Sequence, residues 1–113
     1  MSKPYRDKKY MSWVHTLPCI VTGLSGEGIE AHHVRMGQDG GMGMKPSDYR
    51  CLPLHYTKHR ELHNIGERYF WAKHDYNPNG LILLTIIRWF YSSHRTMEAI
   101  QALEPHIKTR IDG

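Results

Sequence analysis

The chain has 113 residues, which is enough for one small domain but too few for a catalytic domain and a separate regulatory one. Its formal net charge of +4 favours an anionic partner. The longest apolar run, at residues 81–87, is shorter than the roughly 18 residues of a membrane span, which excludes a transmembrane role. Two cysteines and a polar start, MSKPYRDKKY, predict a reduced cytoplasmic protein.

The first third of the chain is predicted to hold a basic arm and a β-hairpin. In residues 1–15, lysines and arginines alternate with aromatic residues, which predicts an arm that becomes a short helix before Leu17. A solvated, frayed terminus is the alternative. Two β-prone pieces follow, residues 19–23 (CIVTG) and 29–34 (IEAHHV), with the glycine-rich GLSGEG between them. This pattern predicts a hairpin.

The middle of the chain is predicted to be a loop followed by a helix. Residues 35–47 hold four glycines and a proline, and such glycines let a backbone approach a ligand such as phosphate. Pro53, after a short extended stretch, is predicted to open a helix over residues 54–74. Gly66 is expected to interrupt that helix or to join it to a second one.

The last third is predicted to be helical. Residues 74–80 (HDYNPNG) form a break, and residues 80–92 predict a buried helix, although their β-branched residues also allow a strand. A final helix is expected to start at Ser93 or Thr96 and to run through Ile107, disturbed at Pro105.

Histidine is unusually frequent, with nine in the chain. His59 and His63 lie four apart in a helical pattern, so they share a face and can reach one metal ion. His32 and His33 are adjacent on a predicted strand, where side chains diverge, so one is expected to bind the metal and the other to act as a base. A neutral histidine suits the second task because its unperturbed pKa is about 6.5. Taken alone, each of these two histidine pairs could be a set of ordinary polar residues. Together and in this order, they indicate a β-β-α unit in which a metal ion joins the second strand to the helix.

The run AHHVRMGQDGGMGMKPSDYRCLPLHYTKHRELHNIGERYFW resembles the HNH (ββα-metal) endonuclease superfamily. Its HHV, Gly-Gly, K-x-x-D, PL and H-x-x-x-H-x-x-G elements are similar to those of small phage-type nucleases of the recombination-enhancement (Ref-like) group. The resemblance covers about residues 17–76. It implies an α+β fold in one domain: a basic arm at 1–15, an HNH core at 16–76, and a C-terminal helical extension at 77–113 packed on the core.

The resemblance also implies the roles of five residues. His32, His59 and His63 become ligands of one divalent metal ion, and His33 becomes the general base. Asp48 stands where the family usually has Asn, which orients the base; Asp accepts such hydrogen bonds but has no amide N–H to donate. An all-imidazole set favours zinc, nickel, cobalt or manganese, whereas magnesium prefers oxygen, although many nucleases of the superfamily work with magnesium.

The implied reaction is hydrolysis of DNA phosphodiester bonds to 5′-phosphate and 3′-hydroxyl ends. Five basic residues near the site are predicted to contact the DNA backbone, with an ordinary charged surface as the alternative: Arg35, Lys45, Arg50, Lys58 and Arg60. A homodimer would allow both strands to be cut. The resemblance alone implies a phage or prophage origin and action in DNA processing or recombination. It also implies contact with a recombinase filament and location in a bacterial cytoplasm.

Many HNH proteins carry a structural zinc on two cysteine pairs, but the corresponding positions here include Thr22 and Lys58, so a four-cysteine site is impossible. A reduced site of Cys19, Cys51 and His55 is one option, and packing by the aromatic-rich C-terminal half is the other. Two other functions stay open. One is a non-catalytic nucleic-acid-binding module, which needs a closed metal site with four protein ligands. The other is a recombination-accessory protein with a vestigial site.

Overall fold

The computed structural model describes residues 6–36 and 46–92. The elements in these ranges are α1 (Lys8–Val14), β1 (Ile29–His33), a short 3-10 helix (Asp48–Arg50), β2 (Cys51–His55), α2 (Tyr56–Ile65), α3 (Glu67–Lys73) and α4 (Pro78–Ser92). This part of the chain is therefore α+β, with a two-stranded antiparallel sheet and four α-helices. The chain separates into two compact units, residues 1–82 and 83–113, and α4 begins in the first.

The sheet pairs β1 with β2, not with residues 19–23, so the predicted hairpin is wrong. Ile29 lies opposite His55, and His33 lies opposite Cys51. Residues 19–23 form a turn instead, in which the Gly23 N–H donates to the Cys19 carbonyl at 2.9 Å. The reason is burial: β2 places two leucines at 0% exposure, whereas residues 20–23 stay partly or fully exposed and bury little apolar surface.

The helix that was predicted to open at Pro53 begins three residues later, at Tyr56. Pro53 lies inside β2 opposite Ala31, and its carbonyl accepts a hydrogen bond from the Ile20 N–H at 3.1 Å. A two-stranded sheet consists of edge strands, which tolerate proline because no partner needs its missing N–H. The predicted break at Gly66 is confirmed: α2 ends there and α3 follows, and its φ of 93° is a conformation that glycine adopts without strain.

The predicted short helix near the N-terminus is confirmed, and its inner face belongs to the core of the first unit. Tyr10 and Val14 of α1 are fully buried, so this segment is not a frayed end. Asp7 caps the helix by accepting a hydrogen bond from the Tyr10 N–H at 3.0 Å. The Tyr10 ring meets the Tyr49 ring edge to face, with centroids 4.8 Å apart.

One carboxylate joins α2 to α3. Glu61 accepts hydrogen bonds from Lys58 at 3.0 Å, from Lys73 at 3.1 Å and from His74 at 2.9 Å. The bond from His74 contributes most, followed by that from Lys58, and together with Lys73 they lower the pKa of Glu61 to about 2. Glu61 therefore links α2 to the C-terminal end of α3.

The predicted helix over residues 80–92 is confirmed and begins slightly earlier than expected, at Pro78. The expectation that it is buried is wrong for part of its surface, because Leu84 is 58% exposed and Tyr91 is 75% exposed. None of the helices within the described ranges has the length and apolar content needed to cross a membrane. The final helix expected from Ser93 or Thr96 to Ile107 lies outside the described residues.

Candidate metal centre

Three histidines from two elements bring their ring nitrogens together. His32 lies on β1, and His59 and His63 lie four residues apart on α2, so both project from one helix face. His32 Nδ1 is 3.1 Å from His59 Nε2, and His63 Nε2 is 3.2 Å from the same atom. One ligand atom from each residue lies within 4.8 Å of the others, which is close enough for all three to bind one ion.

Two carboxylates determine which nitrogen carries the hydrogen in the rings of His32 and His59. Glu67 Oε2 is 2.5 Å from His32 Nε2, and Glu30 Oε1 is 2.7 Å from His59 Nδ1. An ionised carboxylate only accepts hydrogen bonds, so these ring nitrogens are the donors. His32 Nδ1 and His59 Nε2 then direct lone pairs at one another. Such an arrangement is repulsive on its own and is what a divalent ion such as zinc requires, so this donor set fits a metal.

The local environment shifts the pKa values of His59 and Glu67. Burial is the main reason that the pKa of His59 is lowered, and it outweighs the bond to Glu30. Burial would raise the pKa of Glu67, but hydrogen bonds from His32 and the Arg35 N–H outweigh it and lower that pKa. These shifts favour a neutral His59 ring and an ionised Glu67 carboxylate.

Neither carboxylate was identified from the sequence. Glu67 is held by two further donors, the Arg35 N–H at 2.8 Å and the Trp71 indole N–H at 3.2 Å. A signal existed in both cases. Glu30 stands two residues before His32, on the same face of a strand, and Glu67 stands four residues after His63.

His33 faces away from His32 and contacts Asp48 instead. His33 Nε2 is 2.9 Å from Asp48 Oδ1. Asp48 is 5% exposed and also accepts hydrogen bonds from the Asp7 N–H at 2.7 Å and from Arg6 at 3.2 Å. Burial would raise the pKa of Asp48, but the bonds from His33 and Asp7 and the charge of Arg6 lower it. Arg6 and Asp7 were not identified from the sequence.

An ionised Asp48 makes His33 Nε2 the protonated nitrogen of the neutral ring, which leaves the lone pair at Nδ1. A pocket of about 300 Å³ adjoins both His32 and His33. Its lining comprises Ala31, His32, His33, Arg35, His59, Leu62, His63, Gly66 and Glu67. Three potential metal ligands and the His33 imidazole thus line one space, which is large enough for water and a phosphate group.

The five predicted DNA-contacting residues differ in their surroundings. Arg35 lines the pocket. Arg50 donates inside the protein, from Nε to the Val34 carbonyl at 3.0 Å and from its terminal nitrogen to the Met36 carbonyl at 2.5 Å. Of the others, Lys58 pairs with Glu61, Arg60 lies over the Tyr56 ring at 5.9 Å, and Lys45 lies outside the described residues.

Cys19, Cys51 and His55 do not converge. The Cys51 thiol lies 3.2 Å from Met11 Sδ, and Cys19 Sγ accepts a bond from the Thr22 N–H at 3.5 Å. The His55 ring bonds to Thr57 at 2.8 Å, where it helps to begin α2. Within residues 6–36 and 46–92 the one set of three or more potential metal ligands is His32, His59 and His63, so the reduced zinc site is not formed there.

Comparison with known proteins places the chain in a family. Residues 1–84, which include all of these histidines and carboxylates, match the family described as "Protein of unknown function (DUF968)", and the chain belongs to that family. The chain is also similar to "Uncharacterized protein YdfU" of Escherichia coli (strain K12), with 41% identity over 56 residues. That match covers 50% of this chain and only 16% of the relative. No solved structure matches the chain.

Proposed function

We propose that the chain is a metal-dependent DNA endonuclease of the HNH (ββα-metal) type. The observation that carries the proposal is the shared pocket: the nitrogens of His32, His59 and His63 converge beside His33, whose ring is held by buried Asp48. The order β1, β2, α2 also supplies the two strands and the helix that such a centre needs.

In this proposal His33 is the general base. Its Nε2–H donates to Asp48, so the neutral ring accepts a proton at Nδ1 from a water molecule. The water oxygen forms a bond to phosphorus and the bond to the 3′ oxygen breaks. The departing oxygen takes a proton from solvent, which leaves 5′-phosphate and 3′-hydroxyl ends. Asp48 stays ionised, fixes the tautomer and stabilises the protonated ring, as the aspartate of a serine-protease triad does.

The three histidines would hold one divalent ion, which would polarise a phosphate oxygen and stabilise charge on the departing oxygen. Three neutral imidazoles favour zinc, nickel, cobalt or manganese, and magnesium would need phosphate and water oxygens as further ligands. Arg35 in the pocket wall supplies positive charge near the phosphate. Because one such site cuts one strand, a single chain should nick duplex DNA, and double-strand cutting would need a second copy.

The pocket also bears on the alternative function. A non-catalytic module with a structural ion requires four protein ligands and a closed site. The described residues supply three histidine nitrogens next to a pocket of about 300 Å³, which favours the open centre of an enzyme.

The experiment is nicking of supercoiled plasmid with magnesium, manganese, cobalt, nickel, zinc or a chelator. We expect metal-dependent nicking that falls at least about 10²-fold in His33→Ala. His15→Ala is the matched control, because His15 is exposed and outside the pocket lining, and it should keep wild-type activity. Protein that binds metal and DNA but cuts no DNA form would favour the non-catalytic module.

A further inference from the structure

We propose that Glu67 and Glu30 are positioning residues of the metal centre, which set the tautomers of His32 and His59, and that Glu67 contributes more to ion affinity. The inference rests on the metal centre of the proposed function. Its starting point is that each of these two rings has a carboxylate on one nitrogen and a histidine nitrogen opposite the other.

The tautomer matters because a neutral imidazole binds a metal only through its unprotonated nitrogen. Without Glu67, the hydrogen of His32 has no anionic acceptor at Nε2 and can move to Nδ1, where it would point at His59. The same applies to His59 without Glu30. Each carboxylate thus keeps one lone pair directed into the centre before any ion arrives.

Charge gives a second reason. Three neutral imidazoles leave the +2 charge of a divalent ion uncompensated, and two nearby carboxylates neutralise it through the rings that they contact. Such outer carboxylates raise the basicity of ligating histidines, and their removal typically weakens metal binding by about 10- to 100-fold.

The two carboxylates are not equivalent. The Glu67 side chain is 14% exposed and is fixed by the Arg35 N–H and the Trp71 indole as well as by His32. The Glu30 side chain is 50% exposed, so water competes for its bond to His59. A rigid acceptor shielded from solvent holds its ring more strongly, and we therefore expect Glu67 to have the larger effect.

The test measures the affinity of full-length, metal-free protein for Co²⁺ or Zn²⁺ by competition with a chromophoric chelator. We expect Glu67→Ala to bind about 10- to 100-fold more weakly than wild type, and Glu30→Ala to show a smaller loss. Glu27→Ala is the matched control, since it removes an exposed carboxylate that lies outside the pocket lining. Its affinity should equal that of wild type.

A second readout separates positioning from a general structural effect. Two-bond ¹H–¹⁵N NMR spectra of the histidine rings in metal-free protein should show His32 protonated at Nε2 in wild type. Glu67→Ala should show a mixture of tautomers. Glu67→Gln keeps one accepting oxygen but loses the charge, so it should retain the tautomer and recover part of the affinity. Glu67→Gln also replaces Glu67→Ala in both measurements if Glu67→Ala does not fold.

The outcomes distinguish this inference from the proposed function. Unchanged affinity and an unchanged His32 tautomer in both Glu67 variants would overturn the inference and leave the nuclease intact. Wild-type protein that binds none of these ions would overturn both. If the Glu67 variants lose ion affinity as expected but wild-type protein cuts no DNA, the inference would be supported and the proposed nuclease function would be contradicted.

Discussion

The His33 ring pairs with the buried Asp48 carboxylate, with Nε2 and Oδ1 2.9 Å apart. The same carboxylate accepts hydrogen bonds from Arg6 and from the Asp7 N–H at the start of α1. The segment before the first helix therefore supports the residue that orients the proposed base. Three donors to one shielded carboxylate also make Asp48 important for stability.

Replacing Asp48 should affect stability and cleavage more than ion binding. Asp48→Ala leaves three donors without an acceptor, which should lower the free energy of unfolding by about 1–3 kcal/mol, measured in urea. Cleavage should fall strongly because His33 loses its orienting partner. Asp48→Asn keeps one accepting oxygen, so its free energy of unfolding and its cleavage rate should lie between those of wild type and of Asp48→Ala. Ion affinity should stay near wild type, because Asp48 contacts none of His32, His59 and His63 in the cluster. A large loss of affinity in Asp48→Asn would contradict this separation of Asp48 from the metal centre.

Ion binding should stabilise the fold. An ion that binds only the folded chain adds about 2.7 kcal/mol when its free concentration is 100 times Kd. For a domain of this size, that corresponds to a rise in Tm on the order of 10 °C. The rise should disappear in His59→Ala, which lacks a nitrogen central to the cluster, and should persist in His15→Ala. An equal rise in His59→Ala would place the ion elsewhere.

Arg35 and Arg50 should respond differently to substitution. Arg35 lines the pocket, so Arg35→Ala should weaken DNA binding and lower the slope of log affinity against log salt by about 1. Arg50 donates to the Val34 and Met36 carbonyls, so Arg50→Ala should mainly lower stability, by about 1–3 kcal/mol. Filter binding over a salt series and urea unfolding measure the two effects. A stable Arg50→Ala with weakened DNA binding would contradict the structural role of Arg50.

Gly28 should be more sensitive than Gly26 to alanine substitution. Both have a positive φ, 87° and 92°, so both substitutions carry a backbone cost of about 1–3 kcal/mol. A Cβ at Gly28 would also lie 3.0 Å from a Tyr56 ring carbon and 3.1 Å from His55 Nε2, whereas a Cβ at Gly26 meets nothing within 4 Å. Thermal unfolding should give Gly28→Ala the lower Tm. Equal values would show that this contact relaxes without cost.

The features that the sequence predicted correctly depend on residues that are close together in the chain. The spacing of His59 and His63 depends only on the helical repeat, and the break at Gly66 depends only on glycine chemistry. The strand partner of β1 was missed because pairing between distant segments depends on which one buries more apolar surface. Residues 19–23 were predicted as the partner because they are β-prone, whereas Pro53 was assigned to the start of a helix; the burial of β2 decides the pairing.

The supporting residues of the site were missed for a related reason. Glutamates such as Glu30 and Glu67 usually lie in solvent, so their spacing from His32 and His63 was not recognised as a signal. Glu67 acquires its role because the break at Gly66 starts α3 at Glu67, whose carboxylate reaches His32 on β1. Arg6 and Asp7 likewise reach Asp48 across about forty residues of sequence.

The most direct test of the proposed nuclease is to titrate metal-free protein with one ion and to measure plasmid nicking at each occupancy. We predict that the rate rises with bound ion and saturates at one ion per chain, and that His33→Ala reaches the same occupancy without comparable cleavage. Full occupancy of wild-type protein with no cleavage of supercoiled, linear or single-stranded DNA would contradict the account.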